Sequence, residues 1–556
     1  MKPLRLLIVT VVVSAAATVP FGSGIAGGAA GAAAGAAVSS EPLWVKHVRN
    51  FQGGISNGVR ASLDAAVQQA QGRHLATVPS GSASSAAAPS ASAVAIRNVQ
   101  TNDDSYPPLP QNEESVAASI DRPLVAVAGA NDYVSGGTVV MRTVDGGQHW
   151  QSTRVVPVFR PTGDTCQGGD PAVAYSRREK AFYLAQLCFF RSSAPSEVQI
   201  YKSLDNGATW TPGRLASVAA SNYSPSTGTV NDTLFNDKDY IAIDNTPTSP
   251  HYGRLYVTYT RFHLDATGAS DTCPIKLAYS DSIPSTDPSL ATWQHSDVNP
   301  DRRASHGLGE SANQFSVPVI GPHGAVDIGY VLEECNSSLD HGLRFQRSTD
   351  GGVTFLATPV QVNKGTSWVD SPDAADLLPG TAFRAPNTIA LAMSPTTGTL
   401  AFIYTNYARG RGNGDIEVSL SRNNGFGWSN PVPVSVNPNG TLAANNQFFP
   451  WIAVDGHGKF QAIWLDRRAD PNNHNITTFQ ATSTDDGRTW LNFRIGAGLW
   501  NPDQGFFKSG AFIGDYSGLA ANTTAVYPSW TDGSANAVNQ TGIGETDIFT
   551  NVELSP

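Results

Sequence analysis

The chain has 556 residues, a formal net charge of −10 and only 15% charged residues. That balance leaves no basic footprint for nucleic acid and no basic patch for a membrane surface. Four cysteines, Cys166, Cys188, Cys273 and Cys335, lack metal-type C-x-x-C spacing and suit an oxidising compartment.

In chain order, Lys2 and Arg5 precede the apolar run "LLIVTVVVSAAATV" and the small-residue stretch "GAAAGAA", which reads as a secretory signal. Residues 1–40 are therefore expected to be a signal peptide with a small-residue segment, the alternative being an uncleaved N-terminal anchor. An extracellular location follows, with no membrane span in the mature chain, since no later run of about 18 apolar residues occurs. Residues 41–95 form an N-terminal segment in which "SLDAAVQQAQ" predicts a short helix, followed by the Ser/Ala/Pro linker "TVPSGSASSAAAPSASAVA", too poor in large apolar groups to pack. Functional residues are expected beyond it.

From Ile96 to the end the texture is short Val/Ile/Tyr/Phe runs separated by Gly, Pro, Asn and Asp, a strand-and-turn pattern that assigns residues 96–556 to the all-β class. One phrase recurs there: "TVDGGQHW" at Thr143, "SLDNGATW" at Ser203, "STDGGVTF" at Ser348, "SRNNGFGW" at Ser421 and "STDDGRTW" at Ser483. The gap between Asp205 and Asp350 is about twice the others, so a sixth copy is expected near residue 280, where "LAYSDSIPSTDPSLATW" ends in Thr292-Trp293. In each copy the Asp is suited to accept backbone N–H bonds, the Gly to supply a positive φ, and the Trp or Phe to pack at the margin of a tight turn. The boxes are thus read as structural corners joining a third strand to a fourth.

Strand, strand, strand, box, strand describes a four-stranded antiparallel meander, and repeats of this size stack radially as propeller blades. After the last box "GDYSGLA", "AVYPSW" and "TDIFTNVEL" supply three more strands, and "AVAIRNVQ", Ala93–Gln100, is expected to supply the missing one and close the ring. The count is seven blades, with six the alternative. Cys166 is expected to pair with Cys188 across one hairpin, and Cys273 with Cys335 between neighbouring repeats.

The S-x-D-x-G-x-T-W repeat, with "QNEESVAAS", "GDPAVAY", "DKDYIAID", "WLDRRAD" and "FIGDYSGL", resembles the Asp-box (BNR) repeats of the sialidase superfamily over about residues 110–553. The resemblance implies a secreted, sialidase-like glycoside hydrolase acting on extracellular glycans, not restricted to sialic acid, and working as a monomer. The alternative is a non-catalytic carbohydrate-binding or surface-interaction propeller.

In such folds the starts of the first strands line the axial mouth. Here they carry Glu113, Asp170, Asp237 with Lys238, Gln314, Arg384, Gln447, and Asp515 with Tyr516. Carboxylates, cations and aromatics together are what a sugar pocket requires. The resemblance places an acid/base at Asp132, in the loop after the second strand of blade one, and a nucleophile at Tyr516 in Tyr516-Ser517-Gly518-Leu519. It assigns substrate contacts to Arg384, Arg409 or Arg411, with Gln314 and Asp515 beside them. The chain departs from the family where the F/Y-R-I-P arginine before the first box has no counterpart in "NEESVAAS", and where the Asn-Glu pair reads Asn313-Gln314. No cofactor is expected. A structural Ca²⁺ is compatible with the acidic rim, but no D-x-D-x-D-G loop places one, and the glycine runs "GFGWSN" and "GGISNG" lack the strand-to-helix context of a nucleotide site.

Overall fold

The alternation of bulky apolar and small or polar residues produces seven antiparallel sheets in succession. In the computed structural model the described residues are 41–64, 68, 98–103, 109–299, 312–363, 368–371, 376–409, 412–504, 506–507, 510–533 and 546–554. The leader, the linker, the predicted helix apart from Ser62–Asp64 and Gln68, and Arg411 lie outside them.

Blade one consists of Gln111–Ala118, Ala126–Asp132, Gly137–Thr143 and Gln151–Val155, and blade two of Ala172–Ser176, Ala181–Phe190, Ser193–Ser203 and Ser217–Ser221. Blade three is Leu234–Ile243, Leu255–Leu264, Ile275–Ser280 and Gln294–Asp297; blade four is Asn313–Ile320, Val326–Glu333, Asp340–Ser348 and Val360–Gln361. Blade five is Ala390–Met393, Leu400–Asn406, Asp415–Ser421 and Val432–Pro433; blade six is Gln447–Val454, Phe460–Asp466, Thr477–Ser483 and Leu491–Arg494. Blade seven has Gly518–Ala521, Ala525–Asp532 and Asp547–Thr550, and its outermost strand is Val99–Gln100, paired through Val99↔Thr550 and Gln100↔Phe549. The first strands of successive blades touch in order, and that of blade seven meets that of blade one, so the sheets close a seven-bladed propeller.

Apolar layers between blades hold the ring. Gly329 in blade four faces Phe402 of blade five so closely that a Cβ there would come within 2.6 Å of the ring, and Phe402, Trp464 and Trp530 are all fully buried. Burying side chains of this size stabilises by about 1.5–3 kcal/mol each, which is why large aromatics recur along the blade faces. Both expected disulfides are formed, Cys166–Cys188 with Cα atoms 5.3 Å apart and Cys273–Cys335 at 5.8 Å. Among the described residues no helix is long and apolar enough to cross a membrane.

Five of the boxes share the hydrogen bonds of their first and third residues, and in two of them, at Trp210 and Trp490, the tryptophan adds a bond to the glycine carbonyl. In blade two the Ser203 hydroxyl donates to Asp205 (2.9 Å) and accepts from Gly207 N–H (2.9 Å), while Asp205 accepts from Thr209 N–H (2.8 Å) and Trp210 Nε1 donates to Gly207 O (3.1 Å). The same bonds from the first residue recur at Thr143, Ser348, Ser421 and Ser483. Two consecutive residues take positive φ, Asn206 at 61° and Gly207 at 82° in this copy, which accounts for Gly, Asn or Asp ahead of the invariant glycine. The sixth copy occupies its expected place between Ser280 and Gln294, but the corner is replaced by an insertion with a short 3₁₀ turn, Pro288–Leu290, and Ser280 donates only to Ser282 O.

Ser203→Ala should therefore leave the buried Gly207 N–H without its acceptor and cost about 1–3 kcal/mol. Ser280→Ala should cost less. Chemical denaturation of both variants against the parent checks the ordering.

Candidate functional site

The innermost strands carry a shared irregularity that sets the site. In blades one, three, four and six the ladder skips two residues, between Asn112 and Ser115, Asp237 and Tyr240, Gln314 and Val317, and Phe448 and Trp451. The first skipped residue is left-handed in each: Glu113 (φ 61°), Lys238 (48°), Phe315 (54°) and Phe449 (54°). Asp170 (50°) and Gly514 (97°) take the same conformation just ahead of the inner strands of blades two and seven. A non-glycine residue held there costs of order 1–3 kcal/mol, and a bulge of this kind re-aims side chains out of the pleat. The left-handed backbone at these positions brings Glu113, Asp170 and Lys238 into one another's electrostatic field at the axis.

The resulting mouth is acidic and buried. Glu113, Asp170, Asp237 and Asp515 are fully buried, with Glu333 and Asp376 nearly so, against Lys238 and Arg384 as the propeller's cations there. Burial, then the charges of Asp170 and Asp515, pushes the Glu113 carboxyl well above its usual range. Asp170 is raised chiefly by burial, opposed by Lys238 and reinforced by Asp515. Asp237, also buried and beside Asp170, is pushed up to about 7. Asn131 Nδ2 donates to Glu113 Oε2 at 2.6 Å, and Gln314 Nε2 donates to Asp237 Oδ2 at 2.9 Å.

The candidate residues separate into those at this mouth and those elsewhere. Arg384 Nη2 lies 3.4 Å from Asp515 Oδ2; burial opposes its charge, but Asp515, Asp376 and Glu333 hold the guanidinium above its ordinary pKa. Gln314 is in the mouth. Tyr516 is buried with Lys238 Nζ 3.7 Å above its ring and Trp451 beside it, 6.3 Å between ring centres. Its hydroxyl has no hydrogen-bond partner among the described residues, and burial followed by Glu113 and Asp170 pushes the phenol well above its usual pKa. Asp132 points away from its neighbours on the strand: it accepts from Arg154 Nε (2.8 Å) and Ser135 Oγ (2.6 Å), whereas Asn131 and Tyr133 face Glu113. Arg409 pairs with Glu417 within blade five.

A segment that composition did not mark completes the site. Two short helices, α1 (Leu43–Asn50) and α2 (Asn57–Ala61), are joined by a loop that enters the mouth. Ser56 N–H donates to Asp237 Oδ2 (2.7 Å), Ser56 Oγ lies 2.9 Å from Asp237 Oδ1 and 3.1 Å from Asp170 Oδ2, and Asn57 Nδ2 donates to Asp515 Oδ1 (3.1 Å). The sequence signal was the run Gly53-Gly54-Ile55-Ser56-Asn57-Gly58, whose glycines permit this close approach.

A separate cavity of about 920 Å³ opens between blades two and three, lined by Arg160, Arg214, Tyr223, Arg261 and His295 among others, and shares no residue with the mouth. Lys276 pairs there with Asp297, and Arg261 Nε donates to Asn236 Oδ1 at 2.9 Å. Among the described residues no group of three or more His, Cys, Asp or Glu side chains could hold a metal ion.

Fold and mouth together define a seven-bladed β-propeller with an axial carboxylate cluster. No family model matches the chain, and no curated protein matches it. Among solved structures it is similar to a Hadza microbial sialidase (13% identity, TM-score 0.40, covering 77% of this chain and 73% of that one). It is also similar to a leech intramolecular trans-sialidase (12%, 0.39, 72% and 71%) and to an α-L-arabinofuranosidase from Fusarium graminearum (10%, 0.41, 83% and 98%).

Glu114, next to the dyad, is buried and bonded by Thr531, and burial pushes it up to about 8. A carboxyl whose folded pKa is raised adds stability that is full below its unfolded pKa and is lost as pH rises through the folded value. Glu114→Gln should therefore gain on the parent by a few kcal/mol between pH 5 and 9, read as a widening difference in denaturation midpoint.

Proposed function

We propose that the protein is an extracellular glycoside hydrolase whose reaction centre is the mouth, with Glu113 and Asp170 as the proton-sharing pair. The carrying observation is that pair itself. Burial favours the protonated form in this pair, so one carboxyl can protonate the glycosidic oxygen as its C–O bond breaks while the ionised partner takes the proton of the water that adds to the anomeric carbon, leaving the pair with one proton again. Neither a metal nor a cofactor is needed for those roles.

The surrounding groups take supporting parts. Asp515 and Arg384 form a hydrogen-bonding wall for sugar hydroxyls. Tyr516, with Trp451 and the Lys238 ammonium, offers a flat face and a phenol that stays protonated. This favours Tyr516 as a stabilising and packing group over an oxyanion nucleophile. With Asp132 engaged by Arg154, proton transfer is assigned to the dyad. Two disulfides support the extracellular assignment. A non-catalytic carbohydrate-binding propeller is the second reading, favoured by Gln314 in place of a carboxylate and its bond to Asp237.

The test is aglycone release from a panel of aryl glycosides that includes a sialoside. Turnover of at least one is expected at saturating substrate, with kcat lowered about 10²–10⁴-fold in Glu113→Gln and Asp170→Asn and much less in Tyr516→Phe. Because burial raises both carboxyls, activity should fall as rising pH strips the acid form from the dyad, and Asp170→Asn should shift that limb. Glycan binding without turnover by the parent would select the non-catalytic reading.

A further inference from the structure

The loop between α1 and α2 makes contacts that a ligand of the mouth would have to replace. It gives hydrogen-bond donors to three of the axial carboxylates: the Ser56 hydroxyl and N–H to Asp170 and Asp237, and the Asn57 amide to Asp515. Gln314 Nε2 donates back to Gly54 O at 3.1 Å. Gly58 packs on the dyad so tightly that a Cβ there would lie 2.8 Å from Glu113 Oε2.

The loop is also anchored as a built part. Arg60 Nε and Nη groups donate to Val48 O, Phe51 O, Gly53 O and Ile55 O, folding the loop on itself. Trp44 stacks on Phe235 and meets Phe189 edge-on, each with ring centres 5.4 Å apart. His47 bonds Gly268 O at 2.8 Å, and a Cβ on Gly53 would come within 1.9 Å of the Ser337 backbone. None of the four cysteines lies in this segment, so nothing covalent but the chain itself retains it.

We infer that Gly53–Arg60 is a tethered occupant of the ligand mouth, holding the intact chain in a self-inhibited state, and that the ligand it excludes is an uncharged, hydroxyl-rich glycan. The occupant shows which chemistry the carboxylates accept, since it meets them with hydroxyl and N–H donors. A neutral sugar presents the same donors through its hydroxyls. An anionic sugar would set its carboxylate against Glu113, Asp170, Asp237 and Asp515, with Lys238 and Arg384 to offset them. A site whose competent state is only fractionally open binds with affinity reduced by that fraction, so opening should raise apparent affinity without altering the mouth.

The inference rests on the mouth being a glycan site, and the experiment separates the two. A recognition sequence for a site-specific protease is placed between residues 77 and 95 of the full chain, upstream of the closing strand Val99–Gln100. Retention of the released fragment is followed by size exclusion, and binding of neutral and sialylated oligosaccharides by calorimetry, before and after cleavage. Gly53→Val in the uncut chain, which evicts the loop while leaving every propeller residue in place, gives a second route to the open state. Loss of the fragment with an at least 10-fold gain in affinity for a neutral glycan, reproduced by Gly53→Val, is the expected result. Equal affinity before and after opening by both routes, or preferential gain for the sialylated ligand, overturns the inference while leaving a glycan site intact. Departure of the fragment with no glycan bound in either state overturns the glycan site itself, and the inference with it.

Discussion

Crowding ionisable carboxyls where little water can reach them is the constraint on which the account depends. A buried carboxylate without a partner is strongly disfavoured, and the axis holds Glu113, Asp170, Asp237 and Asp515 together. The chain resolves the conflict in three ways: burial favours the protonated forms of Glu113 and Asp170, Arg384 neutralises Asp515, and Ser56 and Asn57 donate hydrogen bonds to Asp170, Asp237 and Asp515. All three leave polar groups primed for donors, which is what a sugar presents.

The rest of the fold makes such a cluster tolerable. Left-handed residues at Glu113, Asp170 and Lys238 are costly, and each is held by the strands that flank it. The strands are held in turn by apolar layers between blades, by box corners that satisfy their own N–H groups, and by the closing pair Val99↔Thr550. Strain and desolvation concentrated at one end of a rigid ring are characteristic of sites kept for function.

Much of this architecture is legible in the sequence, because its causes are local. A turn needing two positive-φ residues writes its own signature, and five such signatures at blade spacing, with one insertion at Ser280, count the sheets. The three strands after Asp515 imply the borrowed fourth, and one predicted hairpin points to Cys166 with Cys188, which the structure forms together with Cys273–Cys335. The mouth is legible only as a set of first-strand starts. The left-handed backbone that turns Glu113, Asp170 and Lys238 inward has no composition of its own, for Glu, Asp, Lys and Phe all occupy the position. The alternation at the end of a strand decided Asp132: one residue of register separates Asn131 and Tyr133, which face Glu113, from the carboxylate that Arg154 takes. Arg409 looked available because its partner Glu417 lies on the next strand. The occupying loop was hidden by its glycines, which read as turns, and its docking depends on pairings between residues far apart in the chain.

The shared proton is the claim that can be examined most directly. Infrared difference spectroscopy of the parent against Glu113→Gln and Asp170→Asn at pH 7 reports whether a carboxylic acid stretch, as distinct from carboxylate bands, belongs to this pair. A protonated-acid band present in the parent and lost in either variant is predicted. A parent spectrum in which the band is absent, or is unchanged by both substitutions, would contradict the account.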